Sequence, residues 1–189
     1  MAAYVCLLRG VNLGSRNKVN MKALQELFAA LGYEDVQTYI QSGNVVFTAG
    51  GRTSPGRLAA AIEKQLAKEL DIEVTALIRT PEELSAIVEA NPFLATGADP
   101  SKLHVTFLAG EPDGSRLFKL DHDGFAPDEF RVQGREVYLH CPKGYGRTKL
   151  NNAFWERQAG VPATTRNWRT VTTLLQLAGP QARASRASG

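Results

Sequence analysis

Ala3-Tyr4-Val5-Cys6-Leu7-Leu8-Arg9-Gly10-Val11-Asn12-Leu13-Gly14-Ser15-Arg16-Asn17-Lys18 opens the chain with the pattern that decides its fold. Residues 3–8 are apolar without alternation, which reads as a strand covered on both faces. Residues 9–18 form a polar, basic, glycine-containing loop, a setting where backbone amides and cationic side chains converge on a ligand. The loop points to an anion site. Nothing in it names a reaction.

Working outward, Asn20 is placed to cap a helix whose Met21, Leu24, Leu27, Phe28 and Leu31 share one stripe, with Gly32 as its stop. Residues 36–41 and 45–48 are rich in β-formers and flank Ser42-Gly43-Asn44, a hairpin signal. Ser54 and Pro55 read as N-cap and first position of a helix lined by Leu58, Ile62, Leu66 and Leu70. A strand over residues 74–79 completes βαββαβ, the ferredoxin-like unit, in about 80 residues.

Thr80-Pro81-Glu82-Glu83 is a capping box for a connecting helix with Leu84, Ile87 and Val88, which Asn91-Pro92-Phe93 stops ahead of a linker to Pro100. Residues 103–108 are a strand, and 111–123 hold a weak helix around Leu117 and Leu120. A hairpin follows over 129–133 and 136–141, turning at Gly134-Arg135. A loop at 142–147 then leads to a helix at 149–159, a short strand at 162–166 and a last helix at 168–178. The fold expected is α+β, two tandem ferredoxin-like βαββαβ domains with a connecting helix and an extra C-terminal helix. Its boundaries are 1–80, a connecting helix and linker at 81–102, 103–180, and a flexible tail at 181–189.

Composition narrows the class. At 43% hydrophobic residues, the chain of 189 residues has enough apolar side chains for a packed core. No apolar run approaches the ~20 residues of a membrane span, and the polar turn at Arg9 comes too early for a secretory signal. A cytoplasmic protein is expected by default. Cys6 and Cys141 sit alone in β-like runs and read as buried core thiols. His104, His122 and His140 are scattered without ligand spacing, so no metal is expected, and no cofactor motif appears. Trp155 and Trp168 read as core anchors.

The net charge of +3 conceals an asymmetry: residues 1–25 carry four bases and no acid, residues 81–130 ten acids against three bases, and residues 131–189 ten bases against two acids. Attraction between oppositely charged segments explains this, and so does a basic face for an anionic ligand.

Topology sharpens the second explanation. A βαβ crossover makes strands one and two parallel with strand three between them. The loop after strand one and the turn after strand two then share a sheet edge, placing Arg9 and Asn12 beside Gln41, Ser42 and Asn44. In the second half the same logic joins Lys143-Gly144-Tyr145-Gly146-Arg147-Thr148-Lys149 to Arg166-Asn167-Trp168-Arg169. The two polar rims are expected to face each other across an interdomain cleft. Arginines there suit bidentate contact to phosphate or carboxylate. Thr148 reads as an N-cap, and Asn44 serves the hairpin turn as readily as a ligand. An RNA-binding sheet face is disfavoured, since strand one offers only Tyr4 and strand three only Phe47.

The segments LLRGVNLG (7–14), NKVNMKAL (17–24), TYIQSGNVVF (38–47), GRTKLNNAFWER (146–157) and ATTRNWRTV (163–171) together resemble the bacterial family known as domain of unknown function 1697. The resemblance runs to about Ala178 and implies a tandem ferredoxin-like fold and a cytoplasmic bacterial protein, but no particular activity. Ser15 stands where the family often has a second glycine, and Thr148 where it often has serine. The family's recurrent polar positions fall on Arg9, Asn12, Gln41, Ser42, Asn44, Lys149, Arg166 and Asn167.

The leading expectation is a protein that binds an anionic small molecule, a nucleotide or phosphorylated metabolite, through Arg9, Asn12, Lys18, Gln41, Ser42, Asn44, Arg147, Lys149, Arg166 and Asn167. Nucleic-acid binding along the basic edge and a protein-interaction module without small ligand are the alternatives. No general base emerges, so catalysis stays open, as does the oligomeric state. No membrane partner is expected.

Overall fold

The computed structural model describes residues 1–11, 18–51 and 53–179. Asn12 and the tail from Pro180 lie outside the described residues. The chain divides into two compact units: Met1–Ser85 together with the segment from Thr173, and Ala86–Thr172. The division falls inside two helices, Pro81–Glu89 and Trp168–Ala178.

The first unit is β1 (Ala2–Arg9), α1 (Met21–Ala30), β2 (Glu34–Tyr39), β3 (Asn44–Ala49), α2 (Pro55–Leu70) and β4 (Thr75–Arg79). Its sheet runs β2-β3-β1-β4 with every neighbouring pair antiparallel. Asn20 caps α1 by accepting the Lys22 N–H at 2.8 Å, and Ser54 caps α2 by accepting that of Arg57. The helices pack Leu24, Leu27 and Phe28, and Leu58, Ile62 and Leu66, onto Tyr4, Cys6, Leu8, Val45 and Phe47. Phe47 anchors this layer, with its ring 5.2 Å from Phe28 and 4.8 Å from Tyr33. On the opposite face Val5 and Leu7 are also fully buried, as the unbroken apolar run of β1 requires.

β2 begins two residues earlier than the β-formers indicate and ends at Tyr39, because Ile40 turns to φ +49°. The bulge between Glu34 and Gln37, with Asp35 at φ +51°, takes up the extra length.

The capping box opens α3 (Pro81–Glu89) as written: the Thr80 N–H donates to Glu83 Oε2 at 2.8 Å, and the Glu83 N–H to Thr80 Oγ1 at 3.2 Å. The expected linker after it is packed rather than loose. Phe93 is buried, its N–H held by Asn91 Oδ1 at 3.0 Å and its ring covered by the Arg131 guanidinium.

The second unit contains β5 (Leu103–Leu108), a one-turn α4 (Gly114–Leu117), β6 (Glu129–Gln133), β7 (Glu136–His140), α5 (Asn152–Ala159), β8 (Ala163–Asn167) and the start of α6 (Trp168–Ala178). Its sheet runs β6-β7-β5-β8, the order of the first sheet over again. The weak helix expected at 111–123 shrinks to α4 because only Leu117 finds a buried place, while Phe118 is exposed. Trp155 fills the core under α5, its Nε1–H donating to Leu150 O at 3.0 Å. The opposite face carries Leu103, Val105, Phe107 and Tyr138, all buried, and the Tyr138 hydroxyl donates to Ile87 O of α3 at 2.8 Å.

Two α-helical starts compete before Trp155, and the second wins. The helix begins at Asn152, not residue 149, because Asn151 Oδ1 accepts the Phe154 N–H at 3.0 Å. Thr148 instead closes a local turn by accepting the Leu150 N–H at 3.1 Å. Lys149 therefore belongs to the loop.

Candidate functional site

In the first unit β1 ends where β2 ends and β3 begins, since Leu7 lies opposite Asn44 and Tyr39 opposite the same residue. The segment after β1 and the 40–43 turn are thus neighbours on one sheet edge. The turn packs tightly there: the Leu8 N–H donates to Gly43 O at 2.9 Å, and a Cβ on Gly43 would lie 2.4 Å from Val11 Cγ2. Asn44 is fully buried and its Nδ2 donates to Tyr39 O at 3.1 Å and Ser42 Oγ at 2.7 Å, which gives it the task of shaping the turn. Gln41 is exposed, Ser42 and Arg9 are partly exposed, and Lys18 stands in solvent ahead of the α1 cap.

In the second unit Leu103 lies opposite His140 and His104 opposite Asn167, so the loops leaving β7 and β8 depart from one edge as well. The loop after β7 is anchored twice. Tyr145 stacks on the His104 ring at 4.8 Å between centroids, and Leu150 is fully buried. Just ahead of the first anchor Gly144 takes φ +94°, and its carbonyl accepts the Arg147 N–H at 3.2 Å. The side chains left facing outward are Lys143, Arg147 and Lys149, all exposed.

Those three bases line a cavity of about 190 Å³ whose other wall is the Phe125–Asp128 segment. Among the described residues none of the three has an ion-pair partner, and Asp128 is the one acid in the lining. Three cations against one acid leave the cavity with a net positive charge, which an anion seated among them offsets.

Arg166 does not join them. It alternates onto the sheet face opposite Thr165, is 9% exposed, and donates through Nη1 to Thr164 Oγ1 at 2.6 Å and Thr165 O at 3.0 Å. Asn167 caps α6, its Oδ1 accepting the Thr170 N–H at 2.8 Å, and lines a second cavity of about 510 Å³ with His104, Trp168 and Arg169.

A polar network beneath the loop escapes sequence reading. Thr165 Oγ1 donates to Asn152 Oδ1 at 2.7 Å and lies 2.7 Å from Thr106 Oγ1, while the Tyr145 hydroxyl reaches the same Asn152 oxygen at 3.5 Å. Burial pushes the Tyr145 phenol up and the His104 imidazole down. His104 Nδ1 is closed to solvent. The signal available in the sequence was the alternation of β5 and β8, which puts His104, Thr106, Thr165 and Asn167 on one face.

Among the described residues no three His, Cys, Asp or Glu side chains group to hold a metal ion, and no helix is long and apolar enough to cross a membrane. Cys6 and Cys141 are both fully buried and not joined in a disulfide, as their apolar runs indicate.

The family model described as protein of unknown function (DUF1697) matches residues 1–138. The motifs at 146–157 and 163–171 lie beyond that match. A solved structure of the conserved bacterial protein SP0830 from Streptococcus pneumoniae superimposes with a TM-score of 0.73 at 23% identity, covering 94% of this chain and 99% of that one. At that identity the likeness speaks to the fold alone. No functionally curated protein matches the chain.

Proposed function

The chain belongs to the DUF1697 family of proteins of unknown function, and we propose that it binds a small phosphorylated anion through the basic cavity of its second unit. The observation that carries this reading is the trio Lys143, Arg147 and Lys149 around about 190 Å³ without ion-pair partners among the described residues. That volume suits a phosphate or diphosphate group rather than a whole nucleotide, so the remainder of a larger ligand lies outside it. Arg147 supplies the planar bidentate fork and the two lysines supply point charge.

We read both units as ferredoxin-like; the support is the repeated strand order, in which two βαβ crossovers interleave. We assign the protein to the bacterial cytoplasm, on its likeness to a bacterial protein and on two buried cysteines that are not joined in a disulfide.

Calorimetric titration with pyrophosphate and with AMP tests the binding reading. Each charge-assisted contact contributes about 1.5–3 kcal/mol, so Arg147→Ala and Lys149→Ala should each weaken binding by roughly ten- to a hundredfold. Absence of binding in the wild type, or wild-type affinity retained in both variants, overturns it. Salt dependence separates the nucleic-acid alternative: a log–log slope steeper than about −4 on an oligonucleotide, with no response to pyrophosphate, would favour a basic edge that tracks phosphates.

A further inference from the structure

The second cavity of this unit differs in kind from the basic one. It measures about 510 Å³, against about 190 Å³, and falls within the usual ~300–1,000 Å³ range of small-molecule sites. Pro100, Trp168 and His104, the last stacked on Tyr145, supply its apolar walls, and Ser101 and Thr172 add hydroxyl groups. Burial holds that imidazole below its ordinary range, so it brings no positive charge at neutral pH.

Two of its polar residues, Asn167 and Arg169, flank Trp168 at the start of α6. Arg169 is exposed and has no ion-pair partner among the described residues. Asn167 spends its Oδ1 on capping α6, and its Nδ2 has no partner among the described residues. The eleven-residue α6 begins between them, so its positive end adds to the arginine. One cation, one amide donor and one helix end suit a single negative charge. A doubly charged phosphate finds its match in the three-base cavity instead.

We infer that this cavity binds an organic monocarboxylate with a flat apolar body: the carboxylate meets Arg169 and Asn167, and the body lies between Pro100, Trp168 and His104. Arg169 sets the charge requirement, and the apolar walls set the preference for a ring system over a short-chain acid. This site stands independently of the phosphate reading, because it shares no lining residue with the basic cavity.

The experiment is a titration of the full chain with 2-naphthoate, followed by amide and indole chemical shifts, with 2-naphthamide as the uncharged isostere. Shifts should centre on Asn167, Trp168 and Arg169, and 2-naphthamide should bind at least about tenfold more weakly, the equivalent of one lost charged contact. Arg169→Ala should lose affinity by the same factor and Arg169→Lys by less, while Arg147→Ala should bind 2-naphthoate as the wild type does. Arg169 is exposed, and retained spectral dispersion checks that its variants fold. No shift at probe concentrations of about 5 mM, well past a millimolar Kd, overturns the inference. So does equal affinity in Arg169→Ala, equal affinity for the amide, or a response confined to residues 143–149.

Discussion

Replacing Gly43 by alanine tests the packing of the first unit's edge. The substitution meets two separate penalties. Gly43 sits at φ +73°, where an L-residue costs roughly 1–2 kcal/mol. Its new Cβ would also lie 2.4 Å from Val11 Cγ2 and 2.9 Å from Leu8 Cβ. Carbon atoms prefer about 3.5–4.0 Å, so Val11 or the turn must move by about 1 Å. Val11 and Leu8 are both buried, and the Leu8 N–H is tied to Gly43 O, so neither moves freely. Overpacking of this kind costs about 1–3 kcal/mol. Gly32→Ala is the control: at φ +79° it pays the same backbone term, and its Cβ would meet nothing within 4 Å. Urea unfolding should therefore place Gly43→Ala about 1–3 kcal/mol below Gly32→Ala. A difference under about 0.5 kcal/mol would refute the claim that the turn is wedged against the segment after β1. Phosphate binding at the second unit should be equal in both variants.

His104 gives the protein a pH signature. Burial lowers its folded pKa beneath the model-peptide value of 6.5, so between the two values the unfolded chain holds the extra proton. Stability is then complete above pH 6.5, falls as pH drops below it, and levels off under the folded pKa. His104→Gln should flatten this part of the urea-midpoint profile; an unchanged slope would contradict the burial of the imidazole. Cys141, fully buried and pushed up to about 11, should resist a thiol-specific disulfide reagent at pH 8 in the native protein and react at the unfolding rate. Rapid labelling of a folded sample would show the thiol to be open to solvent.

Much of the architecture was legible because it is written locally. The caps at Asn20, Ser54 and Thr80 are chosen within one helical turn, and the apolar stripes of α1 and α2 repeat within a few residues. The strand at residues 103–108 and the helix at residues 168–178 match the sequence reading residue for residue. Even the shared edges of the sheets follow from chain order, because a βαβ crossover leaves little freedom in strand direction.

Local signals failed where two of them competed or where partners came from afar. Thr148 and Asn151 are both competent caps, and the burial of Leu150 and Trp155 selects the second. Arg166 belongs by sequence to a basic cluster with Arg147 and Lys149, yet the pleat of β8 turns it to the other face, where Thr164 receives it. The 145–104 stack, the 106–165–152 network and the two cavities join segments dozens of residues apart. The sequence alone determined the elements, their order and the edges on which bases gather, since those depend on neighbours a few residues away. Only the tertiary structure decided which bases face an open cavity and which are absorbed into the fold, because that depends on packing between segments the chain does not place side by side.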